Sequence, residues 1–410
     1  MNYLRRHPLA LTLTILVIAG ALAPLPAVVD VVTGAPPGDA DLSRPALYVI
    51  SAPLSNLLDA VTFLSMPRAI WFLVSWVVVL GGLGLLLPGT RGRRIFRAVL
   101  GVLVPFVVAA AAVLLPRPVP ALTTSELPQS GLTIVDYHSH TERSHDGRTG
   151  WTLERLASWH AEQGFQAAYV TDHNTPFMGS NDDGPIPLLP GVEWSVYRQH
   201  VVVLGTVTQT DLAPYSHDTP GMVDLFAAMH SQGGLAIASL PEYLEHHWAD
   251  LDQFVSGGVD GFEIVNCAPK ALAFSSHERM AVIDLARRHD LLVTGASDNH
   301  GWGKVTCVWN LSHEGAHGFS RSQVIARPVA LAQGDALAAT AAISQLWLMF
   351  RGLSWPERIS WLTWIAVIWI YRAIPRRKGQ PGGLGILART LGRSDRSAIG
   401  SPAAPRTRGA

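Results

Sequence analysis

Seven short apolar runs rich in β-branched residues recur through the middle of this chain, and several of them end in histidines or carboxylates. They lie at residues 133–136, 167–171, 187–192, 200–204, 235–239, 261–265 and 291–295. Helix-like segments separate several of them, at residues 152–163, 222–232 and 275–288. The last opens at Ser275, a suitable cap, and puts Met280, Ile283 and Leu285 on one apolar face. Strand alternating with helix predicts parallel βα units, and about seven of them predict a barrel rather than an open sheet. In such barrels chemistry collects at the carboxyl ends of the strands.

The polar residues fall at those ends. His138 and His140 follow the first strand, and alternate residues of an extended chain point the same way, so both imidazoles can aim at one point. Asp146 lies a little further on, Asp172-His173-Asn174 follows the second strand, and Glu193 ends the third. His200 opens the fourth, and Asp298-Asn299-His300 closes the seventh. Imidazoles mixed with carboxylates, without thiolates, suit zinc, manganese or iron. There are more donors than one four-coordinate ion needs, which implies at least two metals, with Glu193 as the natural bridge. Singly, each residue has a plainer reading: Asp172 could cap a turn and Glu193 could pair with Arg198. Arg143, Arg148, Arg198 and Lys270 also follow strand ends, where each could bind phosphate or be a solvated charge. Trp194 and Trp302 could wall a pocket or simply pack. His160, His230, His277 and His289 fall on helical segments and are not expected to be ligands.

Charged residues are only 15% of the 410, and the apolar excess lies in blocks toward both ends. Apolar runs at residues 9–29, 69–87, 98–115 and 359–374 are expected to span a membrane. Residues 46–66, broken by Pro53 and Asp59, suit an interfacial helix, as does the approach to the last span from residue 340. Arg5-Arg6, the cluster from Arg91 to Arg97, and Arg376-Arg377-Lys378 can all face the cytoplasm if there are four spans. That arrangement makes the chain a multi-pass inner-membrane protein with the region between the third and fourth spans outside. Residues 1–116 are then a membrane region, 117–130 a Pro-rich linker, 131–335 a soluble domain and 376–410 a disordered tail. The zero net charge gives no general attraction for nucleic acid. Cys267 and Cys307 lack CxxC spacing and could form a single disulfide or stay as buried thiols, the latter being the expectation.

His138-Ser139-His140, Thr171-Asp172-His173-Asn174, Gly191-Val192-Glu193 and Ser297-Asp298-Asn299-His300 resemble the motifs of the PHP (polymerase and histidinol phosphatase) family of metal-dependent phosphoesterases. The resemblance covers residues 131–315 and implies a distorted (β/α)7 barrel, here flanked by transmembrane helices. It implies that His138, His140, Glu193 and Asp298 hold one metal and that Asp146, His173 and His300 hold another. Glu193 with His200 would serve a third, so two or three divalent ions are expected. His145 rivals Asp146 as a ligand; if uncoordinated, it is the candidate acid, with Asp298 and His300 at the catalytic centre. The expected substrate is a small-molecule or lipid phosphomonoester or diester, which a tethered domain would meet beside membrane lipids. One departure stands out: where the family carries a His-Pro after the fifth strand, this chain has Leu240-Pro241. That loss leaves Glu242, His246 or His247 to replace the donor. It also keeps open a non-enzymatic metal sensor or scaffold, alongside another metal hydrolase of the amidohydrolase type.

Overall fold

The structure, a computed structural model, describes residues 8–125, 132–179, 184–313 and 322–373. The chain divides into residues 1–364 and 365–410, and of the second unit only the end of one helix is described. The basic tail and His317 lie outside the described residues.

The first element is α1 (Pro8–Leu22), followed by β1 (Val29–Asp30), β2 (Ala40–Ser43), α2 (Ala46–Ile50) and α3 (Ala52–Thr62). Of the span expected over residues 9–29, the described helix covers Pro8–Leu22. At 15 residues α1 is about 22 Å long, against about 30 Å of hydrocarbon. Pro24 and Pro26 end the helical run because each lacks an N–H and pushes its predecessor toward extended geometry. Next come α4 (Met66–Leu86) and α5 (Arg91–Leu114), which among the described residues are the two helices long and apolar enough to cross a membrane. They pack as a close hairpin. A Cβ at Gly84 would collide with the backbone of Ala98, and one at Gly101 with the carbonyl of Leu80, so glycine is what lets the two backbones meet.

Part of the expected linker is a strand, β3 (Ala121–Thr124), paired antiparallel with β2. The strands and helices of the central region follow: β4 (Thr133–Asp136), α6 (Leu153–Gln163), β5 (Ala167–Val170), β6 (Leu188–Val196), β7 (Gln199–Leu204), α7 (Thr219–His230) and β8 (Leu235–Ser239). Then come α8 (Leu244–His247), α9 (Leu251–Ser256), β9 (Gly261–Asn266), α10 (Ser276–Arg288), β10 (Leu292–Ala296), β11 (Val308–Ser312) and β12 (Ser322–Ala326). The chain continues through α11 (Pro328–Leu331), α12 (Ala341–Gly352) and α13 (Trp355–Ala373). Ser275 and Glu278 form a full capping box on α10, as its sequence predicts.

These strands build one ten-stranded sheet in the order β1-β12-β11-β4-β5-β6-β7-β8-β9-β10. It is mixed, not the uninterrupted parallel βα succession expected. Pairing is parallel through β4–β5–β6 and β8–β9–β10, but antiparallel at β6–β7, β7–β8 and on both sides of β11. The β6–β7 reversal is a two-residue turn with both Tyr197 (φ 39°) and Arg198 (φ 59°) left-handed, which matches the twist of a hairpin. His247 Nε2 lies 3.0 Å from the Tyr197 carbonyl oxygen and 3.3 Å from that of Arg198, holding the turn. The sheet curls round on itself. Asn310 on β11 accepts from Gly295 N at 2.8 Å and donates to the carbonyls of Gly295 at 2.8 Å and Val135 at 3.0 Å, lacing β10 to β11 and β4.

The apolar core lies between the sheet and its helices, with Trp194, Phe226, Phe254 and Phe262 among its largest members. Leu240 belongs to this core and is fully buried. Cys267 and Cys307 are joined in a disulfide that ties the loop after β9 to the start of β11, so the two thiols expected from the sequence are not free.

Candidate metal centre

Before any ligand is considered, the loops that carry them are fixed by buried carboxylates. Asp136, the last residue of β4, accepts from the backbone N–H of Ser297 at 3.1 Å and of His138 at 3.4 Å, and from His160 Nε2 at 2.8 Å. One side chain thus joins the 138–140 and 297–300 loops, and His160, as expected, is a support and not a ligand. Asp172 receives the N–H and hydroxyl of Thr141 at 2.6 and 2.7 Å and the hydroxyl of Ser144 at 3.1 Å. It therefore shapes the loop that presents Asp146.

Into this frame the candidate ligands converge. His138 Nε2 and His140 Nε2 face each other at 3.0 Å. Glu193 Oε1 lies 3.3 Å from His138 Nε2 and 2.7 Å from His200 Nδ1, while its Oε2 lies 3.3 Å from His140 Nε2 and 2.8 Å from His173 Nδ1. Asp298 Oδ1 is 3.1 Å from His140 Nε2 and 3.6 Å from His138 Nε2. Asp298 takes the left-handed conformation (φ 47°), a strained backbone that aims the carboxylate inward. Alongside, His300 Nε2 lies 3.2 Å from Asp146 Oδ1 and 3.5 Å from His173 Nε2, with His173 Nε2 at 3.6 Å from Asp146 Oδ2. The candidate residues thus converge on one region, though their groupings overlap and do not divide into the separate sets expected.

The donor set fits divalent ions. Tetrahedral zinc with bonds of about 2.0–2.1 Å holds its donors about 3.3 Å apart, and His138, His140 and Asp298 present theirs 3.0–3.6 Å apart. Both Glu193 oxygens, Asp298 Oδ1 and His173 Nδ1 are buried, and their close polar neighbours are one another and the rings of His138, His140, His200 and His300. Buried carboxylates crowded by imidazoles in this way need cationic partners, whether protonated rings or metal ions. Four groups of donors lie within 4.8 Å of one another: His138/His140/Asp298, His140/His173/His300, His173/Glu193/His200 and His145/Asp146/His173.

Protonation follows the same crowding. Burial disfavours the charged carboxylates, yet His200 and His138 hold Glu193, and His138 and His300 hold Asp298, well below the usual range. Burial and the neighbouring His300 push His140 down to about 3, so it is neutral. Burial also works against the His138 imidazolium, but Glu193, Glu263 and Asp298 keep its pKa well above normal. Against burial, Asp146 and Glu193 raise His173 to about 10.

Two supporting residues went unread in the sequence. Glu263, mid-strand in β9, accepts from His138 Nδ1 at 2.8 Å and orients that ring. Its signal was an acid inside an otherwise apolar strand. Tyr243 places its hydroxyl 3.2 Å from His200 Nε2, beside the ring from which the expected donor is missing. Glu242 is also near, its pKa raised by burial and by Asp298, whereas His246 is exposed and His247 serves the β6–β7 turn.

The remaining candidates separate cleanly. His145 is on the rim, 76% exposed, with Nδ1 4.0 Å from Asp146. Arg143 and Lys270 are exposed, and the Lys270 charge reaches Glu242. Arg148 donates to the Gly301 carbonyl at 3.3 Å and lies over the Trp302 ring, while Arg198 occupies the hairpin tip. Trp302 is half exposed beside Asp146, but Trp194 is a core residue.

No protein-family model matches the chain, and no curated protein resembles it by sequence. Among solved structures it is similar to PsfC from Pseudomonas syringae PB-5123, at 15% identity and TM-score 0.36 over 52% of this chain and 98% of that one. It is also similar to the lesion-specific endonuclease PfuEndoQ from Pyrococcus furiosus, at 13% identity and TM-score 0.33. Endonuclease Q bound to a 27-mer duplex with an abasic lesion gives 12% identity and TM-score 0.34. The match spans about half of each endonuclease chain (52%) and 44% of this one. At these scores the likenesses carry no argument about chemistry, which rests on the residues above.

Proposed function

We propose that the chain is a membrane-anchored, metal-dependent phosphoesterase that hydrolyses a small-molecule or lipid phosphomonoester or diester outside the cytoplasm. The observation that carries this reading is Glu193: its fully buried carboxylate is ringed by four imidazoles, His138 and His200 at Oε1 and His140 and His173 at Oε2, a donor set that would suit divalent ions. His138, His140, Glu193 and Asp298 would hold one ion, Asp146, His173 and His300 a second, and His200 with Glu193 a third. When bound, zinc, manganese or iron would supply Lewis acidity toward phosphoryl oxygens and an activated water. The chain's own residues orient these donors through Asp136, Asp172 and Glu263. His145 on one rim and Lys270 on another are free to meet a substrate, His145 as proton donor to the leaving group and Lys270 as a charge on phosphate.

Two features support the location. The turn of the α4–α5 hairpin carries Arg91, Arg93, Arg94 and Arg97, and positive charge is retained in the cytoplasm, which leaves both flanks of a two-span hairpin outside. The Cys267–Cys307 disulfide suits an oxidising compartment. The test is hydrolysis of p-nitrophenyl phosphate and bis-p-nitrophenyl phosphate by the purified full chain, loaded with zinc or manganese. Activity should vanish with chelation and in a variant combining His138→Ala with His140→Ala. Stoichiometric metal with no turnover of either ester would instead favour a metal-binding sensor.

A further inference from the structure

Away from the metal centre lies a second polar cavity, of about 80 Å³, whose lining includes Arg44, Tyr48, Asp59, Phe63, Arg327 and Glu357. None of its lining residues is a candidate metal ligand. Its two carboxylates are fully engaged. Asp59 takes Arg117 Nη2 at 2.9 Å and the Tyr48 hydroxyl at 2.8 Å, and Glu357 takes Arg44 at 3.1 Å and Asn56 at 2.6 Å. Arg327 is left over. It is 7% exposed, its Nε and Nη2 make no hydrogen bond, and among the described residues no carboxylate pairs with it. Its guanidinium lies over the faces of Phe63, at 5.2 Å, and Trp309, at 5.6 Å, and feels the charges of Asp59 and Glu357 only from beyond ion-pair distance.

Other buried arginines in this chain are not treated so. Arg68, 1% exposed, donates to Gln333 at 2.8 Å and Ser344 at 2.9 Å. Arg279, 6% exposed, donates to the carbonyls of Phe274 at 2.9 Å and Ile264 at 3.2 Å. A buried cation with idle donors costs several kcal/mol unless a counter-charge meets it. Here three guanidinium groups, Arg44, Arg117 and Arg327, face two carboxylates, Asp59 and Glu357, so the surplus is one positive charge. At about 10–15 Å³ for each water-sized sphere, a cavity of about 80 Å³ has room for roughly five to eight such atoms. That is the size of a tetrahedral oxyanion, and too small for an acyl chain.

We propose that this cavity binds an oxyanion of the phosphate class, free or as a lipid headgroup, on the Arg327 fork. A planar guanidinium with two adjacent free N–H groups is the geometry that phosphate accepts bidentately. The proposal is independent of the phosphoesterase reading, because it involves no metal ligand.

The test uses the full chain stripped of metal, in detergent with inorganic phosphate and in nanodiscs of phosphatidylcholine with or without phosphatidic acid. Melting temperature is followed for the wild type and Arg327→Met. Without phosphate the variant should melt no lower than the wild type, since an unmatched buried charge has been exchanged for an apolar chain. Phosphate or phosphatidic acid should raise the wild-type midpoint saturably, and the variant should need roughly tenfold to a hundredfold more anion, the factor for losing a charge-assisted fork. A response in detergent identifies the free ion, and one confined to phosphatidic acid discs identifies the headgroup. Equal responses in wild type and variant, or none in either medium, overturn the proposal. Should Arg327→Met not fold, Ala60→Leu fills the same cavity while leaving every charge in place. It should lose the response, and an unchanged response would count against the site.

Discussion

Glu263→Gln separates a metal centre from a merely polar pocket, because the substitution preserves shape and removes only charge. Glu263 Oε2 accepts from His138 Nδ1 at 2.8 Å, and Oε1 accepts from Ser239 Oγ at 2.6 Å and Asn266 Nδ2 at 2.9 Å. A glutamine has one oxygen for these three donors. Asn266 cannot turn to help, since its Nδ2 also donates to Asp298 at 3.0 Å and its Oδ1 accepts from Ala268 N at 2.7 Å. Either His138 loses its acceptor or two amide nitrogens are forced together. One buried donor is stranded, at a cost of about 1–3 kcal/mol to the fold. With His138 less basic and less firmly oriented, metal affinity should fall about 10–100-fold, or about 1.4–2.8 kcal/mol. Zinc competition against a chromophoric chelator measures this directly, with melting of the metal-free proteins run in parallel. A variant with wild-type zinc affinity would show that His138 is not a ligand, and the whole HxH assignment would fall with it.

Proton linkage gives a second expectation. His138, His173 and His300 all have raised pKa values in the metal-free protein, which favours their protonated forms, and each must deprotonate to ligate. Metal uptake at pH 7 should release roughly two to three protons, read from calorimetry in buffers of different ionisation enthalpy, and affinity should climb with pH. The same shifts stabilise the metal-free fold fully below the unfolded histidine pKa of about 6.5, and that contribution is lost as pH rises through the raised values, about 10 for His173. Reducing Cys267–Cys307, which closes a loop of separation 40, should cost about 4 kcal/mol and lower the melting temperature by on the order of 10 °C; an unchanged midpoint in reductant would argue that the bond contributes nothing. A reporter active only outside the cytoplasm should work when fused after Leu331 and stay silent when fused after Pro88 in the hairpin turn, and the reverse pattern would place the barrel in the cytoplasm. Tyr243→Phe should alter metal stoichiometry or affinity if the hydroxyl beside His200 helps hold a third ion, whereas identical titrations would remove Tyr243 from the site.

Local sequence exposed the elements well wherever one rule acted alone. β4 and β8 have the bounds that their apolar runs predict, and α10 starts at the cap that Ser275 supplies. What stayed hidden depends on pairing between distant segments. The β6–β7 reversal rests on Tyr197 and Arg198 at positive φ, a conformation usually signalled by Asn or Gly, and it is held by His247 from a later helix. β1 could not be read as a strand either. Two residues at the end of an apolar run look like membrane helix until β12 is there to pair with them.

The candidate site was legible for a different reason: a set of possible ligands is a property of residue type and strand end, and both are written locally. The supports were not. Asp136 reads as one more polar residue at a strand end, yet it grips the loops carrying His138 and Asp298 at once, through contacts 161 positions apart in the case of Ser297. Leu240 shows the limit most sharply. By comparison with the family motif it reads as a vacancy in a metal site, but in the fold it is a fully buried core residue, and Tyr243, three positions on, reaches His200 instead. A missing donor at one position therefore says little until it is known which neighbouring side chain the following loop turns inward. At this strand end the backbone N–H groups of Tyr243 and Leu244 both close onto the Leu240 carbonyl, at 2.9 and 2.8 Å. That tight turn packs Leu240 in the core and brings the tyrosine to the metal side.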